Sequence, residues 1–276
     1  MKSLVKAEIL KMTKQSHTFY ALGVLIVIEA VVLVSAYYQG NALIDLFLES
    51  LKESFYFKGN LLNGNLMVYL ILNTLWFHLP LILMIIVSGT LTTEFKDKTL
   101  QTVFMQPVNK KQFLLSKYIV GILFTILSVL ILMLTSFSFS YLIFGQGDLI
   151  VYLETLNFFE SKEAGFRLIM AFLSGTLTMI FFSVVSLTLA VFLEESAKTW
   201  IVAVLFVIVS NVLYKMDFGN GIVNEYSYMK LNNTWQYFFE YKIDWGQIVK
   251  NSVFLVIYTF AVMGIGIYGF NRKDLI

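Results

Sequence analysis

Six long apolar runs constrain the fold of this chain more than any other feature of the sequence. A helix needs about 20 mostly apolar residues to cross a bilayer. The runs occupy residues 20–38, 66–91, 118–144, 166–193, 199–214 and 248–270. Lipid offers the backbone no hydrogen-bond partners, so such runs must be helical. The sequence therefore predicts an all-α polytopic membrane protein, with residues 1–276 forming a single transmembrane domain of six transmembrane helices.

The composition excludes several function classes. Hydrophobic residues make up 58% of the chain and charged residues 14%, against about 25% charged residues in soluble domains. The absence of cysteine excludes disulfides, thiolate metal sites and a cysteine nucleophile, and the two histidines disfavour a histidine metal site. The net charge of +2 gives no reason to expect a nucleic-acid partner.

Lysine and arginine residues predict the orientation of the helices. With both termini cytoplasmic, the inner segments contain twelve lysines and arginines against six acidic residues, and the outer segments contain eight against eleven. We therefore expect a multi-pass cell-membrane protein with both termini in the cytoplasm. Because lysine greatly outnumbers arginine, the composition favours a bacterial plasma membrane.

The segments outside the apolar runs have their own patterns. In residues 1–19, Val5, Ile9 and Met12 recur at helical spacing among lysines, which predicts an amphipathic helix on the lipid of the inner surface. Residues 42–57 read as an amphipathic helix at the outer interface, and residues 145–163 as an acidic, aromatic segment. The aromatic residues of 215–247 favour a partly re-entrant outer element. Small residues recur in the run 166–193, which favours a place inside the bundle.

A charged stretch, residues 93–117, lies between the second and third runs and reads TEFKDKTLQTVFMQPVNKKQFLLSK. Thr92 or Thr93 can cap a helix of about three turns, which Pro107 would end before Asn109 starts the next helix. Such a helix, held between two transmembrane helices, could couple a soluble motor to the bundle. The alternative is an interfacial helix that lies on lipid headgroups.

Polar residues inside the apolar runs are candidates for a substrate path: Glu29, Asn73, His78 and Asn211. A carboxyl group in the membrane is costly and usually faces the bundle interior or a water-filled path. Glu29 could contact a cationic substrate or carry a proton. Alternatively, it could be protonated, or could pair with a polar neighbour such as His78 or Asn211, and fix the packing of the helices.

The charged stretch resembles the intracellular segment of type-2 ABC transporter permeases, the ABC-2 family. That family's pattern is an acidic residue, a Gly-Thr-Leu-like turn, a proline followed by small and basic residues, and a lysine that opens the third span. Thr99-Leu100, Pro107-Val108, Lys110-Lys111 and Lys117 match, whereas Lys98 stands where glycine is common. The closing FNRKDLI also resembles the end of the family's sequences.

The resemblance implies a non-catalytic permease subunit of an ABC exporter, which moves an amphipathic or hydrophobic substrate such as a peptide antibiotic, a drug or a lipid-like molecule. The chain has no G-x-x-x-x-G-K stretch, so we expect no cofactor in it and place ATP and Mg in two copies of a partner ATP-binding subunit. A second permease, identical or related, is also implied. The residues expected to contact the ATPase are Glu94, Phe95, Lys98, Thr99, Leu100, Val103, Phe104 and Gln106.

Two other classes compete with this interpretation. A proton-coupled secondary transporter could use Glu29, but such transporters carry internal repeats and none is visible in the sequence. An intramembrane enzyme could use the pair Glu194 and Glu195, but no histidine follows His78 to complete such a site.

Overall fold

Helices make up almost all of the chain that the structure, a computed structural model, describes. It describes residues 1–52, 61–153, 156–216, 221 and 226–274, and for His17 and residues 41–52 the backbone alone. The helices are α1 (Lys2–Lys14), α2 (Ser16–Lys52), α3 (Gly64–Lys96), α4 (Thr99–Phe104), α5 (Lys110–Phe144), α6 (Ser161–Leu193), α7 (Ser196–Lys215), α8 (Tyr228–Leu231) and α9 (Trp245–Asn271), with a 3-10 helix at Thr234–Phe239.

Six of the described helices are long and apolar enough to cross a membrane, judged by length and composition. They are α3, α5, α6, α7, α9 and the part of α2 from Thr18 to Gly40. The predicted all-α polytopic fold is confirmed. Most of the observed helices extend past the apolar runs, by 14 residues at the end of α2 and by eight at the start of α5, because a helix continues into polar residues once its hydrogen bonds are established.

Helix α6 lies at the centre of the bundle. About two thirds of its most apolar stretch (67%) is buried, against 17–44% for the other five membrane-spanning candidates. At Gly175 a Cβ atom would stand 2.6 Å from the ring of Trp76 in α3, so only glycine allows this close approach. The interior position predicted for this run from its small residues is therefore confirmed.

A β-hairpin between α5 and α6 was not predicted. Strands β1 (Leu149–Tyr152) and β2 (Leu156–Phe159) pair antiparallel, with Leu149 opposite Phe159. The sequences LIVY and LNFF combine β-branched, leucine and aromatic residues, which suit a half-buried strand. Leu149, Val151 and Phe159 are buried, so the hairpin covers the end of the bundle with its apolar face.

One buried arginine holds the segments at this end together. The Arg167 guanidinium donates to the carbonyl oxygens of Phe238 and Glu240, both at 2.7 Å, and lies 4.2 Å from the ring centre of Phe159. The 3-10 helix beside it packs on α3, with the rings of Trp235 and Trp76 4.9 Å apart. The re-entrant character predicted for residues 215–247 stays a prediction, and residues 217–220 and 222–225 lie outside the described residues.

The predicted outer helix over residues 42–57 is only partly covered by the structure. Helix α2 continues without a break from the first apolar run to Lys52. Residues 53–57 of that prediction lie outside the described residues.

The helix predicted to start at Thr93 has different bounds in the structure. Helix α3 runs on to Lys96, so Thr92 and Thr93 lie inside it and cap nothing. Helix α4 is six residues long rather than three turns. The start of the next helix is confirmed, because the Asn109 side chain accepts a hydrogen bond from the backbone N–H of Lys111 and caps α5.

Candidate functional site

Four charged side chains meet where α1 packs against α3 and α5, and we call them the ion cluster: Glu8, Lys11, Glu94 and Lys117. Lys117 Nζ lies 2.8 Å from Glu8 Oε2 and 3.0 Å from Glu94 Oε2. Lys11 Nζ lies 2.9 Å from Glu8 Oε1 and 2.7 Å from Glu94 Oε1. Each carboxylate therefore contacts both ammonium groups, and the four formal charges cancel.

Most of the ion cluster is shielded from solvent. The Lys117 side chain has no exposed surface, the side chains of Glu8 and Glu94 are 7% and 10% exposed, and Lys11 is half exposed. Lys117 Nζ also donates to the carbonyl oxygen of Thr90 at 2.9 Å. A buried charge that loses its partner is strongly destabilising, so the cluster holds the three helices together as a unit.

The electrostatics of the cluster favour the charged form of the two groups on α1. Burial by itself would raise the pKa of the Glu8 carboxyl, but the Lys117 charge and hydrogen bonds from Lys117 and Lys11 outweigh burial and lower this pKa. Burial would likewise lower the pKa of Lys11, but its hydrogen bonds to Glu94 and Glu8 raise this pKa. Both groups therefore stay ionised around neutral pH.

The face that α1 turns to the bundle includes a charged residue. Glu8 and Met12 are buried and Val5 packs against the core, whereas Ile9 is 39% exposed. The prediction that the apolar side of α1 lies on the lipid of the inner surface stays a prediction. The ion pairs of Glu8 with α3 and α5 decide how the helix is rotated, because they place a charged residue on the packed face.

Helix α4 begins with a strained residue. Lys98 has φ 56° and ψ 19°, in the left-handed region that glycine occupies without a steric cost. This conformation gives a physical reason for the glycine that ABC-2 permeases commonly have at this place. Leu100 is buried, and the Phe104 ring lies 5.3 Å from that of Phe113 and 6.1 Å from that of Phe270.

The eight predicted coupling residues fall into two groups. Glu94 belongs to the ion cluster, and the apolar members Phe95, Leu100, Val103 and Phe104 pack against the protein's own core. The polar members Lys98, Thr99 and Gln106 are exposed, as is the neighbouring Met105. The outward face of the corner between α3 and α5 is therefore mostly polar.

The chain end and the turn between α6 and α7 are tied to the same corner. Lys273 forms an ion pair with Glu194, and its Nζ lies 5.5 Å from the ring centre of Phe95. The carbonyl oxygen of Lys273 accepts a hydrogen bond of 2.6 Å from Lys110 Nζ. A displacement of the corner would thus reach α1, α3, α5, α6 and the end of α9.

A cavity of about 210 Å³ lies against the ion cluster. Besides the cluster, its wall includes Gln15, Thr90, Thr93 and Asp97. Met12 and Val120 also line this cavity, so it has both polar and apolar walls.

The four substrate-path candidates do not come together. The side chains of Asn73, His78 and Asn211 are exposed and hydrogen-bond to carbonyl oxygens one turn back in their own helices. Glu29 is fully buried and accepts a hydrogen bond of 2.8 Å from Thr135. The suggested pairing of Glu29 with His78 or Asn211 is therefore absent.

No pairing of Glu8, Lys11 and Lys117 was predicted from the sequence. Lys117 was expected to open the third span, but α5 starts seven residues earlier, at Lys110. The residues one turn away from Lys117 in the sequence are apolar or glycine (Phe113, Leu114, Val120 and Gly121). A lysine surrounded by apolar residues in its own helix needs an acidic partner from another segment. This requirement could have predicted the pairing of Lys117 from the sequence.

Comparison with known proteins supports a transporter. No curated protein matches the chain. The sequence model of the ABC-2 family transporter proteins matches residues 4–210. The match covers about three quarters of the chain and includes α1, the ion cluster, α4 and the first four membrane-spanning candidates. The chain therefore belongs to the ABC-2 transporter family, as a multi-pass permease.

Proposed function

We propose that the chain is the membrane-spanning subunit of an ATP-driven exporter, powered by two copies of a separate ATP-binding subunit and paired with a second permease. Its substrate is an amphipathic or hydrophobic molecule, such as a peptide antibiotic, a drug or a lipid-like compound. The corner between α3 and α5 and both termini lie on the cytoplasmic side of the cell membrane. ABC-2 permeases generally work with ATP-binding subunits, and the charge distribution supports the orientation.

The ion cluster is the observation that carries this proposal. If α1 only lay on lipid, it would need no buried salt bridges to α3 and α5. Here Lys117 and Lys11 join α1, the end of α3 and the start of α5 through distances of 2.7–3.0 Å. Because the exposed residues of α4 sit directly beside this buried cluster, a force applied to α4 passes into two membrane-spanning helices.

The partner subunit can be tested directly. The tagged chain is purified from its native membrane in mild detergent, and the co-purifying proteins are identified by mass spectrometry. We expect an ABC ATP-binding subunit in a 1:1 ratio with permease chains, and export that stops when ATP is depleted. Recovery of no such subunit, together with export that survives ATP depletion, would overturn the proposal.

Variants separate docking from stability. Glu94→Ala breaks the ion cluster as well as any coupling, so its effect on export is ambiguous. Lys98→Glu reverses an exposed charge and leaves the cluster intact, and we expect it to weaken ATP-binding-subunit recovery or to uncouple ATP hydrolysis from export. Lys162→Glu, the same reversal at an exposed position near the opposite end of the bundle, is the matched control and should change neither.

The competing interpretation of a proton-coupled transporter gains no support from the surroundings of Glu29. Its carboxyl has no exposed surface and lies between α2 and α5. Glu29 does not line the cavity beside the ion cluster. A transport carboxyl must reach water from at least one side, so we keep the ATP-driven mechanism.

A further inference from the structure

Glu29 and its neighbours on α5 form a buried group of oxygen atoms with an incomplete set of hydrogen bonds. Glu29 Oε2 lies 2.8 Å from the Thr135 hydroxyl. Glu29 Oε1 and Ser136 Oγ are both buried and have no aligned hydrogen-bond partner, although the Ser136 hydroxyl interacts with the Glu29 carboxyl. Buried polar atoms in proteins nearly always have partners. Glu29 Oε1 and Ser136 Oγ are therefore expected to pair with each other.

The Thr135 hydroxyl group has one hydrogen atom but faces three possible acceptors. Its single hydroxyl hydrogen faces Glu29 Oε2 at 2.8 Å and the carbonyl oxygens of Ile131 and Leu132, each at 3.1 Å. A serine or threonine hydroxyl has one hydrogen to donate and two lone pairs that accept. If that hydrogen goes to a backbone carbonyl, as is usual for threonine in a helix, Glu29 Oε2 and Thr135 Oγ1 face each other with no hydrogen between them.

In the part of the chain that the structure describes, no cation compensates a charge on Glu29. Among the described residues, none of the ion pairs includes Glu29. The polar side chains that contact it are the hydroxyls of Thr135 and Ser136. An uncompensated carboxylate without water is among the most costly groups that a protein interior can hold.

We propose that Glu29 is a proton-binding site in the membrane and is a neutral carboxylic acid when α2 is packed on α5. The proton comes from water and forms an O–H bond on Oε2, which donates to Thr135 Oγ1. Thr135 then donates to the carbonyl of Ile131 or Leu132, and Ser136 donates to Glu29 Oε1. The bound proton thus resolves the excess of acceptors around Thr135, and the Ser136 hydroxyl pairs the two remaining atoms, its own Oγ and Glu29 Oε1. This inference does not depend on the proposed export function.

The experiment is infrared spectroscopy of the full chain in lipid vesicles at neutral pH. A protonated carboxyl has a C=O stretching band that ionised carboxylates lack. We expect this band in the native protein and its loss in Glu29→Gln, whose amide keeps the shape of the neutral acid, so that the variant reaches native membrane levels. Glu160→Gln changes an exposed acid directly before α6. This variant is the matched control and should leave the band unchanged.

A second variant keeps the proposal testable if Glu29→Gln fails to fold. Ser136→Ala removes the hydroxyl that donates to Oε1, so the band should persist and move to higher frequency as the C=O loses its hydrogen bond. Absence of the band in the native protein, or its persistence in Glu29→Gln, would overturn the proposal. Stabilisation of the native protein by sodium ions, but not by choline, and its loss in Glu29→Gln would instead assign the site to a metal cation.

Discussion

Replacement of Lys117 by methionine tests the ion cluster most sharply. Methionine retains most of the side-chain volume but leaves Glu8 and Glu94 with the half-exposed Lys11 as their remaining partner. Because the Lys117 side chain is completely buried, solvent cannot compensate the lost charge. Removal of one partner of a buried ion pair costs about 3–5 kcal/mol, and we expect a loss of this size in the free energy of unfolding.

The measurement is equilibrium unfolding in mixed micelles, followed by helix content. The variant Glu8→Gln also breaks the cluster, but added to Lys117→Met it restores neutrality, because Glu94 then pairs with Lys11. The double variant should therefore lose less than the sum of the single losses, with a coupling energy of about 0.5–3 kcal/mol. The control Lys111→Met removes an exposed lysine from the first turn of α5 and should change the free energy by less than about 0.5 kcal/mol. A native-like stability of Lys117→Met, or strictly additive losses, would refute the role of the cluster.

Three further predictions concern other parts of the structure. Lys98→Gly should raise the free energy of unfolding relative to Lys98→Ala by about 1 kcal/mol, because glycine accepts the left-handed conformation at φ 56° without steric cost; thermal unfolding of the two variants measures this. Because the pKa of Glu8 is lowered, the stability that Glu8 contributes to α1 docking is complete above pH 4.5 and is lost as the pH falls through the lower pKa of the folded state. Because the pKa of Lys11 is raised, the stability that Lys11 contributes is complete below pH 10.5 and is lost as the pH rises through the higher pKa of the folded state. Limited proteolysis after α1 against pH should show both limits, and a flat profile at acid pH would contradict the pairing. Arg167→Leu removes the guanidinium that donates to the carbonyl oxygens of Phe238 and Glu240, and should lower the free energy of unfolding by about 3 kcal/mol or more. Faster cleavage of residues 226–244 by protease would report the loss. Unchanged cleavage would contradict the proposed role of Arg167.

The membrane helices were predictable from the sequence because one property, apolar length, determines them. Every predicted run lies inside an observed helix. The central position of α6 was readable too, since Gly175 and its small neighbours allow the close approach that burial requires. Local chemistry also identified the start of α5, where Asn109 caps the helix.

The ion cluster and the hairpin were not predictable because they depend on contacts between distant residues. Glu8 and Lys117 are 109 residues apart, and the helical pattern of α1 gave no reason to expect Glu8 on a packed face. The strands of the hairpin have four residues each, too short for a pattern in a chain dominated by apolar runs. The end of α3 was misplaced because Thr92 and Thr93 are good capping residues, yet the helix passes through both.

We propose that the exposed face of α4 receives the ATP-binding subunit. The chain has no cysteine, so Gln101→Cys, an exposed position on α4, can be cross-linked selectively in native membranes. We expect a cross-link from this position to an ABC ATP-binding subunit. We expect none from Phe158→Cys, which is exposed on the hairpin near the opposite end of the bundle. A cross-link to that subunit from Phe158→Cys but not from Gln101→Cys would contradict it.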